Sequence, residues 1–452
     1  MTAAVRPQPG LPREYHFPRF ERRMLENGMS VIVAPVRKLP VVSVVAVVDV
    51  TAVDDPTGFE GIAELTAQAL REGTHKRDGV RLALDLEKRG TSVEAGADWD
   101  STLVSMTVLK HQLESAFGIF CEVLTSPAFR EEDIERLKAE RIAERMQLLA
   151  EPRGLADEEF SRFIYAEGSR YAEPMSGSAR SVAAITRHEV VEFYESRYAP
   201  EAVTLIIAGD VSAAEGQRLA ESMLAGWSGE RAPVTRRADK VERTARSVEI
   251  ISRPDAAQSE IRIGHVGVPR SHPDYFDIVV MNAVLGGLFS SRINLNLREQ
   301  HGYTYGASSY FDWRRQAGPM VISTAVQSEV TGEAISESLN EIERMRSEEI
   351  SEDELTLATS YLEGVFPIRY ETTASIASAL ANLVIFELPE DYYDTYRGRI
   401  SSVTTAGVLK AAKSHVRSEE LQVLTVGNPE IIEAPVRALG IGEVIVRDPV
   451  ES

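Results

Sequence analysis

The sequence has a single cysteine, Cys121, among 452 residues. No disulfide can close within the chain, and a cysteine-built zinc cluster is excluded. A lone thiol is compatible with a reducing compartment. Long apolar runs are also missing. The longest, from Val41 to Val53, is interrupted by Ser43, Asp49 and Thr51 and is too short to cross a bilayer. The first ten residues, Met1 to Gly10, contain Arg6, Pro7 and Pro9 and no apolar core, so they do not read as a secretory signal. These absences predict a cytoplasmic protein with no membrane partner. Positive charge is in deficit: 49 Lys and Arg against 69 Asp and Glu leave a formal net charge of −20. Such a field repels phosphate backbones, which argues against a nucleic-acid partner. It favours basic peptides only weakly, because salt screens it.

What is present is ordinary for a globular protein: 43% hydrophobic and 26% charged residues. The length predicts two or three domains. The chain also repeats itself. Ile185 to Tyr198 has apolar positions at helical spacing and is followed by the apolar strand Val203 to Gly209, closed by Asp210. A similar helix begins at Val403 and leads to Leu421 to Gly427, closed by Asn428. Gly209 and Gly427 are 218 positions apart, as are Ile185 and Val403. Earlier, Ser126 to Glu135 opens a helix with an acidic first turn. Ile350-Ser-Glu-Asp-Glu-Leu does the same, with Ser351 and Glu354 spaced as a capping box. Residues 1–230 and 247–452 therefore read as two homologous α+β halves. Residues 231–246, charged and interrupted by Pro233, read as a linker. Strand pairs such as Met29–Val36 and Val41–Val50, with short connections, predict largely antiparallel sheets, and long amphipathic helices such as Asp133–Leu149 are expected to cover one face.

Three segments, taken in order, resemble the pitrilysin/insulinase metallopeptidases, the family of mitochondrial processing peptidase and its bacterial relatives. Gly61-Ile-Ala-Glu-Leu-Thr-Ala-Gln-Ala-Leu-Arg-Glu-Gly-Thr74 looks like the family's signature helix. Phe193 to Asp210 looks like its helix–strand segment, and Leu288 to Tyr305 looks like its second-half substrate segment. The resemblance implies a clamshell half built of two α/β-roll halves, each a mainly antiparallel sheet of about six strands with helices on one face.

The family's zinc motif is H-x-x-E-H on a helix, two imidazoles at i and i+4 with a glutamate as general base. Laid on this sequence, the first histidine position is Glu64, the glutamate position is Ala67 and the second histidine position is Gln68. The third ligand position falls near Gly154 or Leu155, with Glu158 and Glu159 one turn away. Ala67 accepts no proton and Gln68 is a poor zinc ligand, so no metal and no intrinsic zinc peptidase activity are expected of this chain. The eight histidines include no pair at i, i+3 or i, i+4, and His188-Glu189-Val-Val-Glu192 lacks a second histidine. The sequence thus offers no replacement site.

The second-half segment is intact. In the family an arginine and, seven residues later, a tyrosine face the zinc from the other domain, hydrogen-bond the peptide carbonyl and stabilise the oxyanion. The resemblance carries these roles to Arg298 and Tyr305. A plain structural role competes, with Arg298 paired to Glu299 and Gly302 ending a helix. Losing one half-site and keeping the other implies the zinc-free subunit of a two-chain peptidase. Zinc would then sit in a homologous H-x-x-E-H partner, and unstructured peptides would be the substrate. The alternatives are a structural or assembly protein of the same fold, a peptide-binding module, and a self-sufficient peptidase with an unconventional metal site.

Overall fold

Val41–Val48 is apolar at every position but Ser43, which is the pattern of a strand buried on both faces rather than on one. In the computed structural model, which describes residues 14–233, 243 and 245–450, this is what the segment does. Val42, Val44, Ala46 and Val48 enter one core, while Val45 and Val47 enter another. The strand, β3, lies in a six-stranded sheet with β1 (Glu21–Met24), β2 (Ser30–Pro35), β4 (Glu94–Ala97), β5 (Thr102–Leu109) and β6 (Val203–Gly209). The order is β1-β2-β6-β3-β5-β4. A second sheet contains β7 (Ser247–Ser252), β8 (Gln258–Val266), β9 (Ala307–Phe311), β10 (Pro319–Gln327), β11 (Gln422–Gly427) and β12 (Glu443–Arg447), in the order β12-β7-β11-β8-β10-β9. Five strands follow the same path in both sheets, with β11 in the place of β6, as the repeat of Gly209 and Gly427 predicts. The sixth differs: β1 joins antiparallel to β2, and β12 joins parallel to β7.

The sheets are α+β and mainly antiparallel. One expected pairing is corrected. Met29–Val36 and Val41–Val50 do not pair with each other, because β6 lies between β2 and β3, parallel to the first and antiparallel to the second. A short connection brings two strands close in space but leaves room for a later strand to insert.

Helical coverage goes beyond the one face expected. Each sheet has helices of its own half on one side. Its other side is closed by a helix from the other half. Thr373–Ile385, apolar nearly all round, packs on β3 and β6 and places Ile376, Ala377 and Leu380 against them. Pro152–Ile164 packs in return on β8 and β11, with Leu155, Phe160 and Phe163 against Leu424 and Val426. The stretch Tyr275–Gln300 is long and apolar enough to cross a membrane by length and composition, but 61% of its apolar 18-residue window is buried inside the fold. It is the broken core helix of the second sheet. The linker 231–246 lies largely outside the described residues.

Candidate functional site

The helix Ile62–Ala69 buries Ile62, Leu65, Thr66, Ala67 and Ala69, so its remaining polar side chains, Glu64 and Gln68, share one side. Its first turn is fixed from below. The carboxylate of Asp55 accepts the Gly61 N–H at 2.7 Å and the Ala63 N–H at 3.0 Å, and Arg170 donates to it at 2.8 Å. Gly61 has φ +97° and a Cβ there would stand 2.3 Å from the Ser176 carbonyl oxygen, so only glycine fits. Burial pushes the Asp55 carboxyl up to about 6, against the opposing pull of Arg170 and the two N–H groups.

Opposite Glu64 stands a residue that the sequence reading missed. Arg141, on the long helix Glu131–Ala150, brings Nη1 to 2.9 Å from Glu64 Oε2, with only 5% of its side chain exposed. Gln68 Nε2 reaches the other oxygen of Glu64 at 3.5 Å. Glu64 and Arg141 line a cavity of about 450 Å³ with Trp99, Glu144, Arg145, Gly154, Glu158 and Arg314. The donor set does not fit zinc. At the three motif positions the single carboxylate is held by a guanidinium, the general-base position is an alanine, and the second histidine position is an amide. A fixed cation beside Glu64 also repels a second one.

The segment expected near the third ligand divides: Gly154 and Glu158 line the cavity with Glu64, and Leu155 does not. The residues facing the motif helix come from Glu131–Ala150, because Pro152–Ile164 turns toward the second sheet and buries Leu155 there. Glu158 is gripped by Arg145 at 2.7 and 2.6 Å and by Arg162 at 2.8 Å. Glu159 is paired with Arg162 at 3.1 Å and with Arg447 at 2.7 Å. A signal for Arg141 and Arg145 was available: they continue the buried row of Ile134, Leu137 and Lys138 at helical spacing.

The Arg/Tyr segment has a different character. Tyr275–Asn282 continues as a wide π-type turn at Ala283–Gly287 and breaks near Leu288. The chain then re-forms a helix at Arg292–Asn294 and another wide turn at Leu295–Gln300. Such turns interrupt the regular ladder and re-aim side chains. Gly302, at φ +69°, follows the helix end in the left-handed region. Arg298 Nε lies 3.6 Å from Glu299, and its guanidinium stacks 4.5 Å from the Phe289 ring centre. Tyr305 is 96% exposed. It lines a cavity of about 470 Å³ with Gly286, Gly287, Phe289 and the edge strand β9. The buried Asn294 ties these parts together. Its amide donates to the Phe289 carbonyl at 2.6 Å and its oxygen accepts the Ala307 N–H at 3.1 Å. Glu64 thus lines one cavity and Tyr305 another. Pro152–Ile164 serves both, giving Gly154, Asp157 and Glu158 to the first and Arg153 to the second.

Comparison with known proteins agrees with this geometry. Residues 31–170 match the model for insulinase (peptidase family M16), and residues 184–362 match that for the peptidase M16 inactive domain. The chain belongs to the insulinase family. Among M16 relatives, an uncharacterized zinc protease of Streptomyces coelicolor is 21% identical over 91% of this chain and 90% of its own length. A Helicobacter pylori relative called a non-peptidase homolog is 22% identical over 81% of this chain and 84% of its own. In fold, the chain is similar to a peptidase M16 inactive domain of Pseudomonas fluorescens. The TM-score is 0.85 at 24% identity, over 90% of this chain and 98% of that one. A protease from Helicobacter pylori gives 0.84 at 16% identity, over 91% and 100%.

Proposed function

We propose that this chain is the zinc-free subunit of a two-chain M16 metallopeptidase. It lends Arg298 and Tyr305 to a homologous partner that carries H-x-x-E-H and the zinc. The observation that carries the reading is an asymmetry. Glu64 on the motif side is mostly buried and paired with Arg141, whereas Tyr305 is exposed and lines a cavity with Phe289, the ring on which Arg298 stacks. In this reading the guanidinium and the phenol donate to the carbonyl oxygen of an unstructured peptide as charge develops on it. Water attack and the zinc belong to the partner, placed here in the cytoplasm. Strand β9 lies at a sheet edge beside Tyr305, so an extended peptide can add to it through backbone hydrogen bonds.

The test is cleavage of a quenched, unstructured peptide with zinc present. The expected outcome is no cleavage by the chain alone and cleavage with a co-expressed H-x-x-E-H relative from the same genome. Arg298→Ala or Tyr305→Phe should lower kcat by about 10²-fold or more, the scale of losing an oxyanion donor. Peptide binding without cleavage in any pairing would favour a peptide-binding or assembly role. Chelator-sensitive cleavage by the chain alone would overturn the proposal.

A further inference from the structure

The fold brings His415 against a pair of side chains more than a hundred residues before it, His272 and Asp274, none of which lines either cavity. Asp274 precedes the helix Tyr275–Asn282, and His415 ends the helix Thr405–His415, which packs against it. His415 Nε2 is 2.7 Å from Asp274 Oδ2. His272, two residues before Asp274, sets its ring edge-on to His415 with 4.6 Å between centres, and its Nδ1 accepts the Asp274 N–H at 3.1 Å. One ligand atom from each of the three lies within 4.8 Å of the others.

We propose that His272, Asp274 and His415 form a binding site for a divalent transition-metal ion of zinc's chemistry. Two imidazoles and one carboxylate are the donors zinc takes, at about 2.0 to 2.2 Å, so ligand atoms around a tetrahedral ion stand about 3.3 to 3.6 Å apart. The ion would open the His415–Asp274 pair from 2.7 Å and draw in the wider spacings, which reach up to 4.8 Å, by side-chain rotation. The proton balance is simple. His415 would bind as the neutral ring with its proton on Nδ1: an Nε2 proton moves to Nδ1 from a neutral ring, or leaves for solvent from an imidazolium, and the ion takes its place between Nε2 and Asp274. His272 turns the Nδ1 lone pair from the Asp274 N–H to the ion and keeps its proton on Nε2. His272 and Asp274 are half-buried, which leaves water access for a fourth ligand. His265 is not that ligand. Its Nδ1 faces the Val266 carbonyl at 2.9 Å, its Nε2 accepts the Arg417 N–H at 3.0 Å, and burial keeps it neutral. Of the nearby charges, Asp277 favours a cation and Lys410 opposes it. The bound ion would pin the start of one helix to the end of the other.

The test strips the folded chain with chelator, dialyses it against zinc, and measures bound metal and Tm. The expected result is close to one zinc per chain with a raised Tm. His272→Ala, at a half-exposed position, and Asp274→Asn each lose both effects. Glu64→Gln keeps them, which separates this site from the motif helix. A folded wild-type chain that retains no zinc would overturn the proposal. So would equal retention by His272→Ala and Asp274→Asn, or loss of zinc in Glu64→Gln. None of these readouts depends on peptidase activity or on a partner.

Discussion

Arg141 stands beside Glu64, which holds the first histidine position of the family motif, and pairs with it. Removing one member of a nearly buried pair leaves the other uncompensated. Arg141→Ala should therefore destabilise the fold by roughly 2–4 kcal/mol, read by denaturant unfolding. Replacing both residues, with Glu64→Leu and Arg141→Met, should recover most of that loss. If the single and double variants are equally unstable, the pair is not the cause. Asp55 makes a second prediction. Its folded value, about 6, lies above its ordinary 3.8, so the folded state binds this proton more tightly. That contribution is fully present below about pH 4 and is lost as pH rises past 6; it is worth on the order of 3 kcal/mol. Glu354 works in the opposite sense. Arg292 holds it down at about 2, so its contribution is present above the ordinary carboxylate range and fades in acid. Unfolding of Asp55→Asn should depend less on pH between 4 and 7 than wild-type unfolding does. An unchanged slope would assign the pH dependence elsewhere.

At the scale of elements, caps were readable because they are local. The Ser351–Glu354 box forms as spaced, with Ser351 Oγ accepting the Glu354 N–H at 3.2 Å and Glu354 accepting the Ser351 N–H at 2.8 Å. The exchanged helices were not readable. An apolar run such as that around Leu380 announces burial but not which sheet it covers. Since the helix Thr373–Ile385 closes the first sheet, Leu380→Ala should cost about 2–4 kcal/mol through the cavity it leaves. Hydrogen exchange should then quicken in β3 and β6, although the substitution lies in the second half. Protection lost only in the second half would contradict the packing.

For the whole molecule, the exchange makes two repeats into one cooperative body. Each half expressed alone would expose the sheet face that the other half's helix covers. Residues 14–230 and 247–450, produced separately, should bind a hydrophobic dye and unfold without a sharp transition, and mixing should restore both sharpness and stability. Two halves that each melt sharply alone would show that the exchanged helices are dispensable.

The sequence by itself determined the family resemblance, the two-fold repeat, the degenerate residues at 64, 67 and 68 and the intact Arg298–Tyr305 segment. All of these rest on residue identity and short-range spacing, which survive without a fold. Only the tertiary structure decided what stands opposite Glu64, which helix closes which sheet and where β6 inserts. It alone brought His272, Asp274 and His415 together. Those are contacts between segments up to hundreds of residues apart, chosen by burial and charge pairing in three dimensions; a local pattern can mark a residue such as Arg141 as buried but does not name its partner.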